Sequence, residues 1–167
     1  MSEPRVLVIN TNAESMSPAV EHRAYAVDKA MNLVKSFEGW SATPYYCPAG
    51  VLTIGYGHAI KKGENFTTIS KDVGESILCN DLLQAYVQST RISPILLNQS
   101  AACHAAIVDF IYNLGITRYA SSTLCRLINQ GKLDLSAREL VKWVHGGGKV
   151  LPGLVKRRAV ESSLLLL

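Results

Sequence analysis

The chain has 167 residues, enough for one domain with a substantial core. Apolar residues make up 48% and charged residues 18%, which excludes a disordered polymer, and no run approaches the ~20 apolar residues of a membrane span. The formal net charge of +4 favours anionic partners without choosing among polymers, nucleic acid and acidic lipid. The four cysteines, Cys47, Cys79, Cys103 and Cys125, are widely spaced and contain no C-x2-C zinc pair. They read as free thiols of a reducing compartment, with Cys79 and Cys103 as inert members of apolar helices. The run Val6-Leu7-Val8-Ile9 is too short for the core of a secretory signal.

In chain order, residues 1 to about 16 show no hydrophobic period and read as a loose arm. Ser17-Pro18 is a helix start, and a helix over about 18–38 follows, with an interruption expected near Ala26 and Gly39 as its C-terminal cap. Val27, Ala30, Met31 and Val34 form its apolar stripe, and one more turn along that stripe lands on Glu38. A hairpin comes next. Tyr45, Tyr46 and Cys47 favour extended backbone, Pro48-Ala49-Gly50 supplies the turn, and Val51-Leu52-Thr53-Ile54 resumes a strand. A basic turn at Lys61-Lys62-Gly63 precedes a third strand expected over about 66–69. Ser70 caps a long helix over about 71–90, and Pro94 breaks the chain. Asn98 is expected to cap a helix that is apolar on nearly every side and ends near Leu114, so it should lie in the core. Shorter helices are expected over about 121–130 and 136–144, the second opened by a capping box at Ser136-Ala137-Arg138-Glu139, and Pro152 starts the last helix. This inventory is α+β, mostly helical, with one small sheet.

An acidic residue on an apolar stripe is partly desolvated, which suits a general acid; a helix-end glutamate in ordinary solvent would look the same. Glu38, eight residues, Cys47, five residues, Thr53, then Ile54-Gly55-Tyr56-Gly57-His58, resembles the motif of the phage-type lysozyme (endolysin) family, in its Cys rather than Asp form. Asn113-Leu114-Gly115, Ser121-Ser122-Thr123-Leu124, Trp143 and the stretch from Gly147 to Val155 follow in family order, so the resemblance covers roughly residues 25 to 165. The glycines before Lys149 do not fit a phosphate loop.

The resemblance implies a lysozyme-like fold with two lobes flanking a substrate groove. Residues 17–167 would form one catalytic domain: a small lobe at about 39–70, a linking helix at about 71–90, and a helical lobe at about 91–167 joined by the 18–38 helix. It implies a muramidase that cuts the β-1,4 bond between N-acetylmuramic acid and N-acetylglucosamine in peptidoglycan, for bacterial lysis at phage release. Glu38 would be the acid, Cys47 and Thr53 would hold the attacking water, and the product would be inverted. Tyr56 and Asn113 are carried over as substrate-binding positions, with Tyr56 equally able to pack inside the small lobe and Asn113 to act as a helix cap. Arg157 would partner Glu38, and His58 would pair with Asp81 as structural support. No cofactor or metal is implied, and the other histidines, His22, His104 and His145, are scattered. The expected protein is a monomer without obligatory membrane or nucleic-acid binding, held in the host cytoplasm until a separate holin releases it to the wall. Sequence neighbours leave Cys47 a neutral thiol, with partial burial raising its pKa.

Three other functions fit parts of the chain. A lytic transglycosylase cuts the same bond without water and works with one glutamate. A wall-binding module without catalysis would share the fold, and a membrane-active C-terminal helix would use Lys156-Arg157-Arg158, otherwise a solvated face, with the leucines that follow.

Overall fold

The computed structural model describes residues 16–167, so the arm expected before residue 16 lies almost wholly outside the described residues. Helix α1 runs without interruption over Pro18–Phe37 from an N-cap at Ser17, and Ala26, where a break was expected, is fully buried on its inner face with Val27, Ala30, Leu33 and Val34. The cap is not Gly39. Glu38 itself leaves the helix in an extended conformation, its N–H still donating to Val34 O at 2.8 Å.

Strands β1 (Ser41–Tyr46), β2 (Leu52–Gly55) and β3 (His58–Ala59) form an antiparallel sheet in that order, with Tyr45 opposite Thr53 and Ile54 opposite His58. The third strand is therefore not at 66–69. Ile69 instead donates one backbone hydrogen bond to Ala42 O.

Helix α2 (Lys71–Ile92), capped by Ser70, carries the sheet on its first half and joins the helical core with its second. Two contacts fasten the sheet to it. The Trp40 indole lies so close over Gly74 that any side chain there would collide with it. His58, only 6% exposed, offers Nδ1 to Asp81 Oδ2 at 2.6 Å and Nε2 to Glu64 Oε2 at 3.0 Å.

After a 3-10 turn at Pro94–Asn98, helix α3 (Ala101–Leu114) is capped by Ser100, whose hydroxyl accepts from Cys103 N–H, rather than by Asn98. Residues 102–111 are all buried, and this helix is the centre of the core. Around it lie α4 (Ile116–Ala120), α5 (Thr123–Asn129), α6 (Leu133–Leu140) and α7 (Pro152–Leu165). Helix α6 starts before the supposed capping box: Ser136 is buried inside it and bonds back to Lys132 O, as mid-helix serines do. A two-stranded ribbon, β4 (His145–Gly146) with β5 (Lys149–Val150), leads into α7.

Two buried histidines tie this framework to pH with opposite signs. Asp81, then Glu64, raise the pKa of His58 against the effect of burial. Its stabilisation is complete below the unfolded value of about 6.5 and is lost as pH rises through the folded value. His104 stacks on Tyr86 at 4.1 Å and bonds Ser89 Oγ through Nε2, while Nδ1 has no hydrogen-bond partner among the described residues. Burial, helped by His22, pushes it down to about 3, so its contribution is complete above about 6.5 and drains away as pH falls. In urea titrations, His104→Gln is expected to flatten the acid side of the stability profile by about 1 kcal/mol per pH unit between about pH 6 and pH 4.5. His58→Gln should instead remove the decline on the neutral-to-alkaline side.

Candidate active site

The apolar stripe of α1 presses against α3, and this packing delivers Glu38 to the point where α1, α3, α7 and the sheet meet. Its side chain is 29% exposed, open enough to meet a substrate. Arg157, on α7 and 3% exposed, donates Nη1 to Glu38 Oε1 at 2.5 Å. The same guanidinium donates Nε and Nη2 to the two oxygens of Asp109 on α3, each at 2.8 Å. Burial works against the Arg157 charge, but Asp109 and then Glu38 more than restore it, so its pKa lies above the ordinary arginine value.

Gly57, in the turn between β2 and β3 with φ of +104°, brings bare backbone to the carboxylate: a Cβ there would stand 3.5 Å from Tyr112 Oη and 3.8 Å from Glu38 Oε2. Tyr112 donates its hydroxyl to Tyr56 O at 2.9 Å, and burial, then Asp81 and Glu38, raise its pKa above the phenol range.

Cys47 follows β1 and is half-buried; its N–H donates to Val51 O at 3.0 Å across the turn. Its pKa is lowered, against expectation. The cause is the backbone N–H groups of Val51 and Ala49, with a smaller part from the Thr53 hydroxyl, and these outweigh the opposing effect of burial. Sequence neighbours could not show this, because the turn folds those donors back onto the sulfur. Thr53 is 4% exposed and donates Oγ1 to Val51 O at 2.9 Å, beneath the hairpin. Tyr45, the cross-strand partner of Thr53, has its pKa raised by burial, then by the nearby charges of Glu38 and Cys47.

Two expectations need correction. Tyr56 is 8% exposed, its ring 4.8 Å from that of Trp40, so it packs inside the small lobe and offers little surface to a sugar. The cationic C-terminal face does not exist: Arg157 and Arg158 point inward, leaving only Lys156 of the three exposed. Asn113 is half-buried, with Oδ1 accepting from Arg158 Nη2, and it is not a cap, since α3 ends at Gly115. Arg158 also donates Nε to Trp143 O at 3.2 Å and Nη1 to both oxygens of the buried Glu161 at 2.5 Å. Sequence reasoning missed Asp109, Glu161, Glu64, Tyr45 and Tyr112. Asp109 had a signal, being the one carboxylate on an otherwise apolar core helix. Among the described residues, no group of three His, Cys, Asp or Glu side chains is arranged to hold a metal ion.

Residues 35–161 match the phage lysozyme family. An endolysin of Bacillus phage B103 is 36% identical over 138 residues, which cover 81% of this chain and 52% of that protein. An endolysin of Acyrthosiphon pisum secondary endosymbiont phage 1 is 34% identical over 145 residues, covering 82% of this chain and 94% of the relative. The chain thus spans about half the length of the first relative and nearly all of the second. Among solved structures, the muramidase domain of SpmX from Asticaccaulis excentricus is similar with a TM-score of 0.71 and 28% identity, over 83% of this chain and 95% of that one. A family match over most of the chain, relatives above 30% identity and a shared α+β lysozyme-like fold agree: this chain belongs to the phage lysozyme family, a family of lysozyme-type glycoside hydrolases.

Proposed function

We propose that residues 17–167 form one catalytic domain that hydrolyses the β-1,4 bond between N-acetylmuramic acid and N-acetylglucosamine in bacterial peptidoglycan. The observation that carries this reading is Glu38: a carboxyl group at the end of a packed helix, part exposed, and aimed by a buried guanidinium. In this mechanism Glu38 protonates the leaving glycosidic oxygen. A water beside Cys47 and Thr53 attacks the anomeric carbon from the opposite face, so configuration inverts. The motif has one carboxylate, and the position where a second would stand holds a thiol whose pKa is drawn down by backbone N–H groups. Asn113, fixed by Arg158, lies on the α3 end that faces the substrate in this reading. Action as a monomer and release through a separate holin belong to the same proposal. The single motif carboxylate also favours a second reading, lytic transglycosylation, in which the muramic acid hydroxyl replaces water and the product is a 1,6-anhydro sugar.

Glu38→Gln is expected to lower the rate of solubilisation of purified peptidoglycan by at least ~10²-fold while the thermal transition persists. A folded variant with near-normal rate defeats the mechanism, and 1,6-anhydro ends in the products of the parent protein replace hydrolysis by transglycosylation.

Cys47→Ser distinguishes water positioning from proton abstraction. A serine hydroxyl holds water as well as a thiol does but does not ionise at working pH, so activity should stay within about tenfold of the parent. A loss of ~10²-fold or more, with the alkaline rise of the profile gone, would make Cys47 the base. A sugar adduct on Cys47 would replace inversion by double displacement.

A further inference from the structure

We propose that Asp109, buried on α3, is a positioning residue for Glu38: acting through Arg157, it aims the guanidinium at the acid and offsets the pull of that positive charge on the carboxyl group. The inference rests on Glu38 being the general acid.

The geometry has two parts. A guanidinium is planar and rigid, so an arginine gripped along one edge has no freedom left at the other. Asp109 grips Nε and Nη2 with both oxygens at 2.8 Å, which sets the direction of Nη1, the atom that meets Glu38. Asp109 is 0% exposed and touches no open solvent, so its role is exercised through Arg157.

The second part is charge. A bare guanidinium 2.5 Å from a carboxyl group favours the ionised form, which is the wrong state for an acid about to give up a proton. A carboxylate on the far side of the same guanidinium opposes that pull. The other charged and titratable groups facing Glu38 do not replace it. Tyr112 on α3 and Tyr45 on β1 feel the charge of Glu38, and behind them Asp81 on α2 acts on Tyr112 and Cys47 in the turn acts on Tyr45. None of these contacts Arg157 by a hydrogen bond. On α7, Glu161 lies 3.6 Å from Arg157 Nε but is engaged by Arg158 with both its oxygens. Burial and then Asp109 push Glu161 up, so loss of the Asp109 charge would let Glu161 ionise more readily and mask part of the effect.

The test is the pH dependence of peptidoglycan solubilisation by Asp109→Asn in the full chain, repeated in a Glu161→Gln background where that compensation is absent. The alkaline limb reports loss of the acid's proton. It should move to lower pH by about one unit, giving an about tenfold lower rate on the alkaline side, little change on the acid side, and an unchanged KM. Asp109→Glu, which keeps the charge, should return the limb to its parental position. A rate lowered by one factor at every pH, with the limb unmoved, overturns the proposal and leaves Asp109 a purely structural residue. Asp109→Ser, which removes the charge and leaves room for water, repeats the measurement if the asparagine variant does not fold, and failure of both to fold also assigns Asp109 to structure alone. Glu38→Gln separates the two levels: full activity there removes the acid itself, whereas an inactive Glu38→Gln with an unmoved limb in Asp109→Asn removes only this inference.

Discussion

The interaction on which the rest of the molecule depends is the buried guanidinium of Arg157 held between Asp109 and Glu38. Taking such an ion out of water costs several kcal/mol, and only close carboxylates in good geometry offset that cost. The three partners stand on α7, on α3 and at the end of α1, so the ion forms only when those helices meet in one register. Loss of the guanidinium would strand the buried Asp109 carboxylate, a penalty of roughly 3–5 kcal/mol against a typical total stability of about 5–15 kcal/mol. The hydrophobic core supplies most of the driving force here. The ion decides which packing of that core is acceptable.

The small sheet depends on the helices in a different way. It is too short to hold itself together and has no core of its own. Trp40 seated over Gly74, His58 clamped by Asp81 and Glu64, and Tyr112 bonded to the Tyr56 carbonyl fasten it at three separate points. These attachments also put Gly57 beside Glu38 and keep the Cys47 turn at the edge of the site. The hairpin is thus as firmly placed as the helices beneath it.

What was legible in the sequence follows from the range of the forces involved. The stripe of Val27, Ala30 and Val34, the Ser17-Pro18 start, the turn at Pro48-Ala49-Gly50 and the motif around Glu38 are local patterns, and the α+β class followed from them. Failures came where a local signal was outvoted or absent. Ser136 read as a cap because Glu139 follows it, yet the helix had already begun at Leu133 and the hydroxyl turned back to Lys132 O. Asn98 lost its capping role to Ser100 because a 3-10 turn fills the gap after Pro94. The strand expected at 66–69 was taken instead by His58–Ala59, since the glycines at 55 and 57 allow a two-residue reversal. In the site, the one-dimensional neighbours of Cys47 said nothing of the amides folded onto it. Arg157 and Arg158 looked like a solvent face because their acids lie 48 residues away at Asp109 and inside the same helix at Glu161.

The position of Arg157, 119 residues after Glu38, has a consequence for the order of events during synthesis. Glu38 and the hairpin leave the ribosome long before α7 does, and for that interval the acid has neither its guanidinium nor the helix that covers Asp109. A nascent chain therefore holds the Glu38 motif before the ion that orders it has formed. A chain that stops short of α7 carries Glu38, Cys47 and Thr53 but lacks the guanidinium that joins Glu38 to Asp109.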